Sequence, residues 1–493
     1  MADSMVSRFI RGTLATGFGK IAIVGLGLLG LMITTRVLPA DELGAFMLLQ
    51  VIIRFLANVS GLGFQLTVPK FIAGTEDPVA QRRLVNTVIY FRVFTIALTI
   101  AVAMLSAQPL FNFFDAAVYD IAVYLPGLLF LDSFGKLLHS ILQGTLRFKS
   151  IGAVNTLSSV GYFILLLLLV VLLRQGVRGL IYARLISRTL SYSYGYLAAK
   201  IEFRLEFDLA LLKEMLIFGF PLYINYILTF IFTKIDTFII GGFFGSAEVA
   251  FYETARRLPD SFEQLYDAFR EVYYPFMARL FAAGAHAKLT AMLNYSTRWI
   301  SFFSIFGALG TFLFGKELIV LLFSDKYLPS VPVFILLMIG LNASLLDYTL
   351  GYSLVAIGES NKPPAINVLR TGVNFAGYLV FIPLFGVAGA ALAGLVGSFA
   401  ANPLNVYFLR RRAVAVDMMG YVKPILIFSA YLCIAIVLGI NSIFGGVLII
   451  ALFLVTCILL SVVTIEDIVT IANEVRKILS NYLGKAPTGP TEA

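Results

Sequence analysis

Residues 151–173 read IGAVNTLSSVGYFILLLLLVVLL, a stretch of 23 residues without a charged side chain. Arg147 and Lys149 precede this stretch, and Arg174 follows it. A helix of about 20 apolar residues crosses the hydrocarbon core of a bilayer, which is about 30 Å thick. The stretch therefore predicts a transmembrane helix with basic residues at both ends.

Similar apolar stretches recur along the whole chain. Hydrophobic residues make up 59% of the 493 residues and charged residues 13%, whereas soluble proteins are about 45–50% apolar and about 25% charged. We therefore predict an all-α polytopic membrane protein with about 14 transmembrane helices. The predicted spans are Thr13 to Thr35, Leu43 to Thr67, Leu84 to Ala107, Val118 to Leu142, Ile151 to Leu173, Val177 to Ala199, Glu214 to Gly242, Ala247 to Phe276, Leu289 to Phe314, Val331 to Ile357, Pro364 to Leu384, Gly386 to Leu409, Val422 to Leu438 and Phe444 to Val463.

The basic residues of the connecting segments are distributed unequally. If the N-terminus is cytoplasmic, the cytoplasmic segments contain 20 Lys and Arg residues and the opposite segments contain five. Cytoplasmic loops of membrane proteins carry such an excess. The sequence predicts a multi-pass protein of the cytoplasmic (inner) membrane with both termini in the cytoplasm. The net charge of +9 lies mostly in short loops, so we expect no nucleic acid partner.

The two halves of the chain resemble each other. Gly176-Val-Arg-Gly opens the sixth span and Gly386-Val-Ala-Gly opens the twelfth, in the same orientation. Two membrane halves around a central cavity are typical of transporters. We expect a six-helix lobe at 1–199, a cytoplasmic linker at 200–213, a second six-helix lobe at 214–412, two extra helices at 413–465 and a cytoplasmic tail at 466–493.

Many charges fall inside the predicted spans. Twelve basic and eight acidic residues lie there, and each costs roughly 2.5–3.5 kcal/mol at the bilayer centre. Those between Glu253 and Glu271 recur at three- and four-residue steps, which predicts a polar helix face lining an aqueous cavity. Arg92 and Arg370 are expected to extend to the membrane surface. The cationic excess favours an anionic, lipid-like cargo such as a lipid with a phosphorylated head group.

Diffuse motifs in both halves carry a family resemblance. They are Lys20-Ile-Ala-Ile-Val-Gly25, Arg36-Val-Leu-Pro39, Phe218-Gly-Phe-Pro-Leu222, Lys234-Ile-Asp236 and Ala250-Phe-Tyr252. With these motifs the chain resembles the Wzx-type polysaccharide transport branch of the multidrug/oligosaccharidyl-lipid/polysaccharide exporter superfamily. The resemblance implies a flippase that moves a polyprenyl-diphosphate-linked oligosaccharide to the outer leaflet by alternating access, for cell-surface polysaccharide or lipopolysaccharide biosynthesis. Polysaccharide assembly proteins are then candidate partners.

On this interpretation, the diphosphate binds a cationic cavity and nearby acids hold those cations or carry a coupling proton or sodium ion. The candidate substrate-binding residues are Arg54, Lys234, Arg256, Arg257 and Arg270. The candidate ion-coupling or charge-pairing residues are Asp236, Asp260, Glu253 and Asp132. We expect no cofactor and no catalytic residue. The two histidines and the two cysteines lie far apart, so we expect no metal site.

Three other functions remain as alternatives. A lipid II flippase would share the 14 spans and the cationic cavity. A drug or cation antiporter of the multidrug-and-toxin extruder type would depend on acids, and the two extra C-terminal spans and the basic excess argue against it. A membrane glycosyltransferase or polymerase would need a catalytic carboxylate set, for which the short loops of this chain leave little room.

Overall fold

The computed structural model describes residues 24–106, 114, 116–439, 442–464 and 469. The described residues are helical apart from short turns and connections. In chain order the helices are α1 (Val24–Val37), α2 (Ala40–Val59), α3 (Phe64–Ala73), α4 (Pro78–Leu105), α5 (Ala116–Ile121), α6 (Leu125–Gly144), α7 (Phe148–Leu166, continued by the π-helical turns Leu167–Leu172), α8 (Gly176–Ala199), α9 (Leu209–Phe244), α10 (Ser246–Ala282), α11 (His286–Leu322), α12 (Ser330–Ala356), α13 (Lys362–Phe385), α14 (Val387–Arg411), α15 (Met418–Val437) and α16 (Ile443–Leu459).

Helical segments lie at the position of every predicted span, so the prediction of an all-α polytopic membrane fold is confirmed. Nine helices within the described ranges are long and apolar enough to cross a membrane by themselves, and α1 and α16 are shorter apolar helices. The start of the first predicted span and the tail 466–493, except for Val469, lie outside the described residues.

Capping explains why two helices begin before their predicted spans. The Asp77 carboxylate accepts hydrogen bonds from the backbone N–H groups of Val79 and Ala80, both at 3.1 Å. The Asp208 carboxylate accepts from the N–H of Leu211 at 3.0 Å. Such caps satisfy backbone groups that have no partner within the helix, so α4 and α9 begin in polar sequence ahead of their apolar stretches.

The chain divides into two compact units within α10. The N-terminal unit is Leu26–Thr254, and the C-terminal unit is Ala255–Ala493 together with Met1–Gly25. The seventh predicted span, α9, belongs to the N-terminal unit because it packs along α2 and α3. Phe55 of α2, for example, stacks on Phe230 of α9 with ring centroids 6.0 Å apart. The predicted lobe and linker boundaries stay predictions.

The second predicted span is interrupted within the N-terminal unit. Helix α2 ends at Val59 and α3 begins at Phe64, with Leu62 at φ 44° and Gly63 at φ 82° between them. A Cβ on Gly63 would lie 2.8 Å from the Gly219 carbonyl oxygen of α9. Glycine meets both requirements, a left-handed backbone and a close approach to a neighbouring helix.

In the C-terminal unit, α12, α13 and α14 pack closely together. A Cβ on Gly389 of α14 would overlap the Phe381 carbonyl oxygen of α13, so this pair of helices requires a glycine at their contact. Helix α11 packs against α15 and α16, where Phe302 stacks on Phe453 at 6.5 Å. Small residues permit such close helix packing in membranes.

Candidate functional site

The interruption between α2 and α3 exposes backbone carbonyl groups inside a membrane-spanning segment. The Arg92 guanidinium of α4, only 2% exposed, donates to the Ser60 carbonyl oxygen. The Tyr223 hydroxyl of α9 donates to the Val59 carbonyl oxygen at 3.1 Å. Unsatisfied backbone groups are costly in hydrocarbon, so these two side chains make the broken helix tolerable. Arg92 therefore binds the helix break instead of extending to the membrane surface.

A charged cluster lies beside this break. Asp132 of α6 forms an ion pair with Arg188 of α8 and lies 3.9 Å from the Lys136 ammonium. Lys136 also donates to the Asn58 side-chain oxygen of α2. The Ser133 hydroxyl lies 3.3 Å from the Ser60 hydroxyl at the break. Helices α2, α4, α6 and α8 thus each contribute a polar group to one region of the N-terminal unit.

Two further arginines place positive charge in this region without an ion-pair partner among the described residues. The Arg54 side chain of α2 is exposed, and its charge acts on both Lys136 and Arg184. The Arg184 Nε is buried without a hydrogen-bond acceptor, and its guanidinium lies 5.9 Å from the Tyr162 ring.

The charges of Arg188, Lys136 and Arg184 act on the Asp132 carboxylate, and those of Arg54 and Arg92 act on Lys136. We call this set the cationic cluster: the five cations Arg54, Arg92, Lys136, Arg184 and Arg188 together with Asp132. The excess of four positive charges can stabilise an anion, because arginine forks and lysine ammonium groups form strong charge-assisted hydrogen bonds with phosphate oxygens.

A cavity of about 250 Å³ opens next to the cluster. Its polar wall comes from one face of α6, since Asp132, Lys136 and His139 are spaced at three- and four-residue intervals. Other polar lining residues are Gln65, Ser140, Asn155 and Tyr192. The cavity is large enough for a polar group of several heavy atoms, and its neutral donors and acceptors suit a hydroxylated or phosphorylated ligand.

A second polar cluster lies at the corner between α9 and α10. Asp236, which is 2% exposed, accepts a hydrogen bond from the Tyr252 hydroxyl at 2.7 Å. Lys234 forms an ion pair with Glu253 at 3.2 Å, and the Thr237 hydroxyl donates to the same carboxylate at 2.7 Å. The predicted substrate-binding Lys234 is therefore held by the predicted charge-pairing Glu253.

The remaining candidate substrate-binding residues, Arg256, Arg257 and Arg270, belong to the polar face of α10 in the C-terminal unit. Arg256 pairs with Asp260 at 3.3 Å, and Arg270 pairs with Asp267 at 3.1 Å and donates to the Tyr352 hydroxyl at 2.6 Å. The side chains of Asp260 and Asp267 are 36% and 41% exposed. The interpretation of this polar face as the wall of an aqueous cavity stays a prediction. Arg257 is half-buried.

Sequence reasoning did not identify a third buried network in the C-terminal unit. Asp347 of α12 forms an ion pair with Arg370 of α13 at 2.7 Å and accepts a hydrogen bond from Asn405 of α14 at 2.5 Å. Arg370 also lies 5.3 Å from the Tyr348 ring. Arg370 thus pairs with a buried acid instead of extending to the membrane surface.

The structure brings together some predicted residues and adds others. Arg54 and Asp132 belong to the cationic cluster, to which Arg92, Lys136, Arg184 and Arg188 are additions. Two sequence signals point to these additions, the Gly61-Leu62-Gly63 interruption of an apolar span and the Arg184/Arg188 pair one turn apart. No group of three or more His, Cys, Asp or Glu residues arranged to hold a metal ion occurs in the part of the chain that the structure describes.

Comparison with known proteins gives three kinds of match. The sequence profile of a family described as polysaccharide biosynthesis protein matches residues 33–332. The probable low-salt glycan biosynthesis flippase Agl15 of Haloferax volcanii is 24% identical over 416 residues, which cover 83% of each chain. Among solved structures, the inward closed conformation of the lipid II flippase MurJ has a TM-score of 0.66 at 16% identity, covering 96% of this chain and 99% of that one. An inward-facing multidrug resistance MATE transporter has a TM-score of 0.62 at 16% identity, and the match covers 80% of this chain and 94% of the transporter. At these identities the two structures show the fold alone.

Proposed function

Because the chain belongs to the polysaccharide biosynthesis protein family, we propose that this multi-pass membrane protein is a flippase for polyprenyl-diphosphate-linked oligosaccharide. It moves the diphosphate head group and its glycan from the cytoplasmic to the outer leaflet by alternating access. The proposal places the protein in the cytoplasmic membrane with both termini in the cytoplasm. It also includes a transport role without catalysis and an association with polysaccharide assembly proteins. A flippase named for glycan biosynthesis among the relatives supports it.

The cationic cluster is the observation that carries the proposal. An excess of four positive charges lies beside an interrupted membrane helix, and interrupted helices form the substrate and ion sites of many transporters. A diphosphate supplies the missing negative charge and many acceptor oxygens. A cavity of about 250 Å³ beside it offers neutral polar groups for hydroxyls of the adjoining sugar.

The acids have a separate part in the proposal. Asp132, Asp236, Glu253 and Asp260 each lie beside a cation or a hydroxyl donor. Asp132, Glu253 and Asp260 hold neighbouring cations in place while the site is empty. In this proposal the same four carboxylates also carry the coupling proton or sodium ion.

The two alternatives differ in the cargo. A lipid II flippase would use the same cationic cluster for a diphosphate on a different glycan. A cation antiporter would instead require a net negative site, and the net positive charge of the cationic cluster disfavours it.

A panel of cargoes in proteoliposomes separates these functions. The full-length protein is reconstituted with a labelled polyprenyl diphosphate carrying an oligosaccharide, with lipid II, or with an organic cation in the lumen. We expect protein-dependent appearance of the oligosaccharide head group in the opposite leaflet. Movement of lipid II alone would identify the protein as a lipid II flippase. Ion-driven efflux of the organic cation without lipid movement would refute the proposal.

A further inference from the structure

The connection between α8 and α9 is a non-helical strap held on the surface of α4. We define the strap as residues 201–208. The Asn86 side chain donates to the Glu202 carbonyl oxygen at 3.0 Å and accepts from the Arg204 N–H at 3.4 Å. The Tyr90 hydroxyl donates to the Arg204 carbonyl oxygen at 3.0 Å. These bonds attach the strap to two side chains of α4.

Ion pairs and a further hydrogen bond fix the same segment. Arg82 pairs with Glu206 at 3.0 Å and with Glu202 at 3.5 Å. The Thr87 hydroxyl, fully buried, accepts from the Asp208 N–H at 3.0 Å. The polar attachments to α4 all involve even-numbered residues of the strap. Of the odd-numbered residues, Ile201 packs against the apolar core that includes Val85 and Val88 of α4, whereas Phe203, Leu205 and Phe207 remain exposed.

The outward side of the strap is a row of apolar side chains. Leu205 is 96% exposed, and Phe203 and Phe207 are 54% and 53% exposed. Both neighbours of the strap are helices at predicted transmembrane spans, so the strap lies at one surface of the membrane. An apolar row at this level can insert into the boundary between head groups and acyl chains. The charge distribution predicts that this is the cytoplasmic surface.

A cavity of about 230 Å³ opens beside the strap. Three cations line it, Arg82, Arg147 and Lys200, together with one acid, Glu202. The Arg147 guanidinium donates to the Ala198 carbonyl oxygen, which fixes it at the end of α8. Arg82 is neutralised by the two glutamates, whereas Arg147 and Lys200 have no carboxylate partner among the described residues.

The cavity and the apolar row are continuous along the chain, because Phe203 directly follows the lining residue Glu202. We propose that they form one binding site for a phosphate-headed lipid of the adjacent leaflet, with the phosphate at Arg147 and Lys200 and the chains along Phe203, Leu205 and Phe207. The ligand combines a polar anion with an extended apolar tail, as these two adjoining surfaces require. The site does not depend on the cargo of the cationic cluster.

Lipid titration of the purified full chain, followed by native mass spectrometry, tests the site. The probes are dioleoyl phosphatidylglycerol, dioleoyl phosphatidylcholine, a polyprenyl monophosphate and inorganic phosphate. We expect tighter binding of the anionic lipids than of the zwitterionic one. In the double variant Arg147→Gln/Lys200→Gln the affinity for them should fall at least about tenfold, because each of these cations forms a charge-assisted hydrogen bond with the lipid phosphate.

The matched control is Arg83→Gln/Lys149→Gln, which removes two exposed cations that do not line the cavity. This variant should bind the anionic lipids within about twofold of the unchanged protein. Preference for phosphatidylglycerol identifies a membrane phospholipid as the ligand, and preference for the polyprenyl monophosphate identifies a carrier lipid. Binding of inorganic phosphate without either lipid, or equal losses in both double variants, would overturn the site.

A spectroscopic measurement tests the apolar row independently. Trp299 is the single tryptophan, so Leu205→Trp in a Trp299→Phe background reports on the strap alone. In proteoliposomes we expect strong quenching of its fluorescence by lipids brominated on the acyl chain. Ala283→Trp in the same background, in the exposed turn after α10, should be quenched weakly. Equal, weak quenching at both positions would contradict insertion, even if the lipid affinities are as expected.

Discussion

Asp132 is the residue on which the electrostatics of the N-terminal unit depend. It is 7% exposed and faces the positive charges of Arg188, Lys136 and Arg184. Its position within a predicted span was evident from the sequence, as was the shared helix face with Lys136. The partner Arg188 lies 56 residues away on another helix, and single-sequence spacing cannot show which distant helices become neighbours.

Neutralising this acid should destabilise the protein. In Asp132→Asn, five cations remain together without a carboxylate, so we expect a loss of about 3 kcal/mol, as when one partner of a buried ion pair is removed. The measurement is thermal unfolding in detergent, with Asp120→Asn at an exposed position as the control. An unchanged melting temperature in Asp132→Asn would show that the cations do not need this acid.

Lys234 illustrates how a predicted binding residue can also be a structural one. Its ammonium lies 3.2 Å from Glu253, and the two side chains are 18% and 16% exposed. Lys234→Gln should therefore destabilise the protein, whereas Lys234→Gln/Glu253→Gln should recover more than half of the loss, because neither charge is then buried alone. A thermal double-mutant cycle measures this coupling. If the losses of stability in the two single variants add up in the double variant, the ion pair contributes nothing to stability. Lys234 would then have a binding role only.

The positions of the helices are the feature of the structure that the sequence predicts best. Apolar length alone predicts a helical segment at each observed position. The break between α2 and α3 was not predicted, although its Gly-Leu-Gly signal is visible, because apolar residues continue on both sides of it. The close contact of α2 with the α9–α10 corner depends on tertiary packing, which hydropathy does not encode.

Gly44 of α2 tests this contact. A Cβ at this position would overlap the Ser246 carbonyl oxygen at the start of α10. We expect Gly44→Ala to destabilise the protein by about 1–3 kcal/mol through overpacking. Gly310→Ala in α11, where a Cβ meets nothing within 4 Å, should be neutral or stabilising by up to about 1 kcal/mol, because alanine favours helices. Equal melting temperatures for the two variants would contradict the close approach.

The strap should respond to acid. The Arg82 guanidinium holds the pKa of the Glu206 carboxyl below its usual value. A carboxyl whose pKa is lowered by folding stabilises the folded state above its unfolded pKa of about 4.3, and this contribution disappears as the pH falls through the lowered pKa. Hydrogen exchange of residues 201–208 should therefore accelerate, beyond its intrinsic pH dependence, as the pH falls below about 4. In Glu206→Gln the acid-induced acceleration should be absent, and its persistence would refute the role of this pair.

At the scale of the whole molecule, composition and charge asymmetry predict the membrane class and the orientation, and the similarity to known proteins establishes the family and the fold. The proposed cargo draws further support from the arrangement of charges in the folded chain. Arg54 of α2 is far in sequence from Arg184 and Arg188, which lie one turn apart on α8. The excess charge becomes evident when α2, α4, α6 and α8 are brought together. Composition records the same charges without showing that they converge.

The central claim is that the cationic cluster binds the diphosphate of a lipid-linked glycan during transport. The most direct measurement is leaflet translocation of a labelled polyprenyl-diphosphate oligosaccharide in proteoliposomes by Arg54→Gln/Arg184→Gln. These two arginines have no ion-pair partner among the described residues, so their loss should spare the fold. We predict at least about a tenfold loss of rate, because each charge-assisted hydrogen bond contributes about 1.5–3 kcal/mol. The exposed pair Arg174→Gln/Arg178→Gln should retain the rate. An unchanged rate in Arg54→Gln/Arg184→Gln, with the fold intact, would contradict the claim.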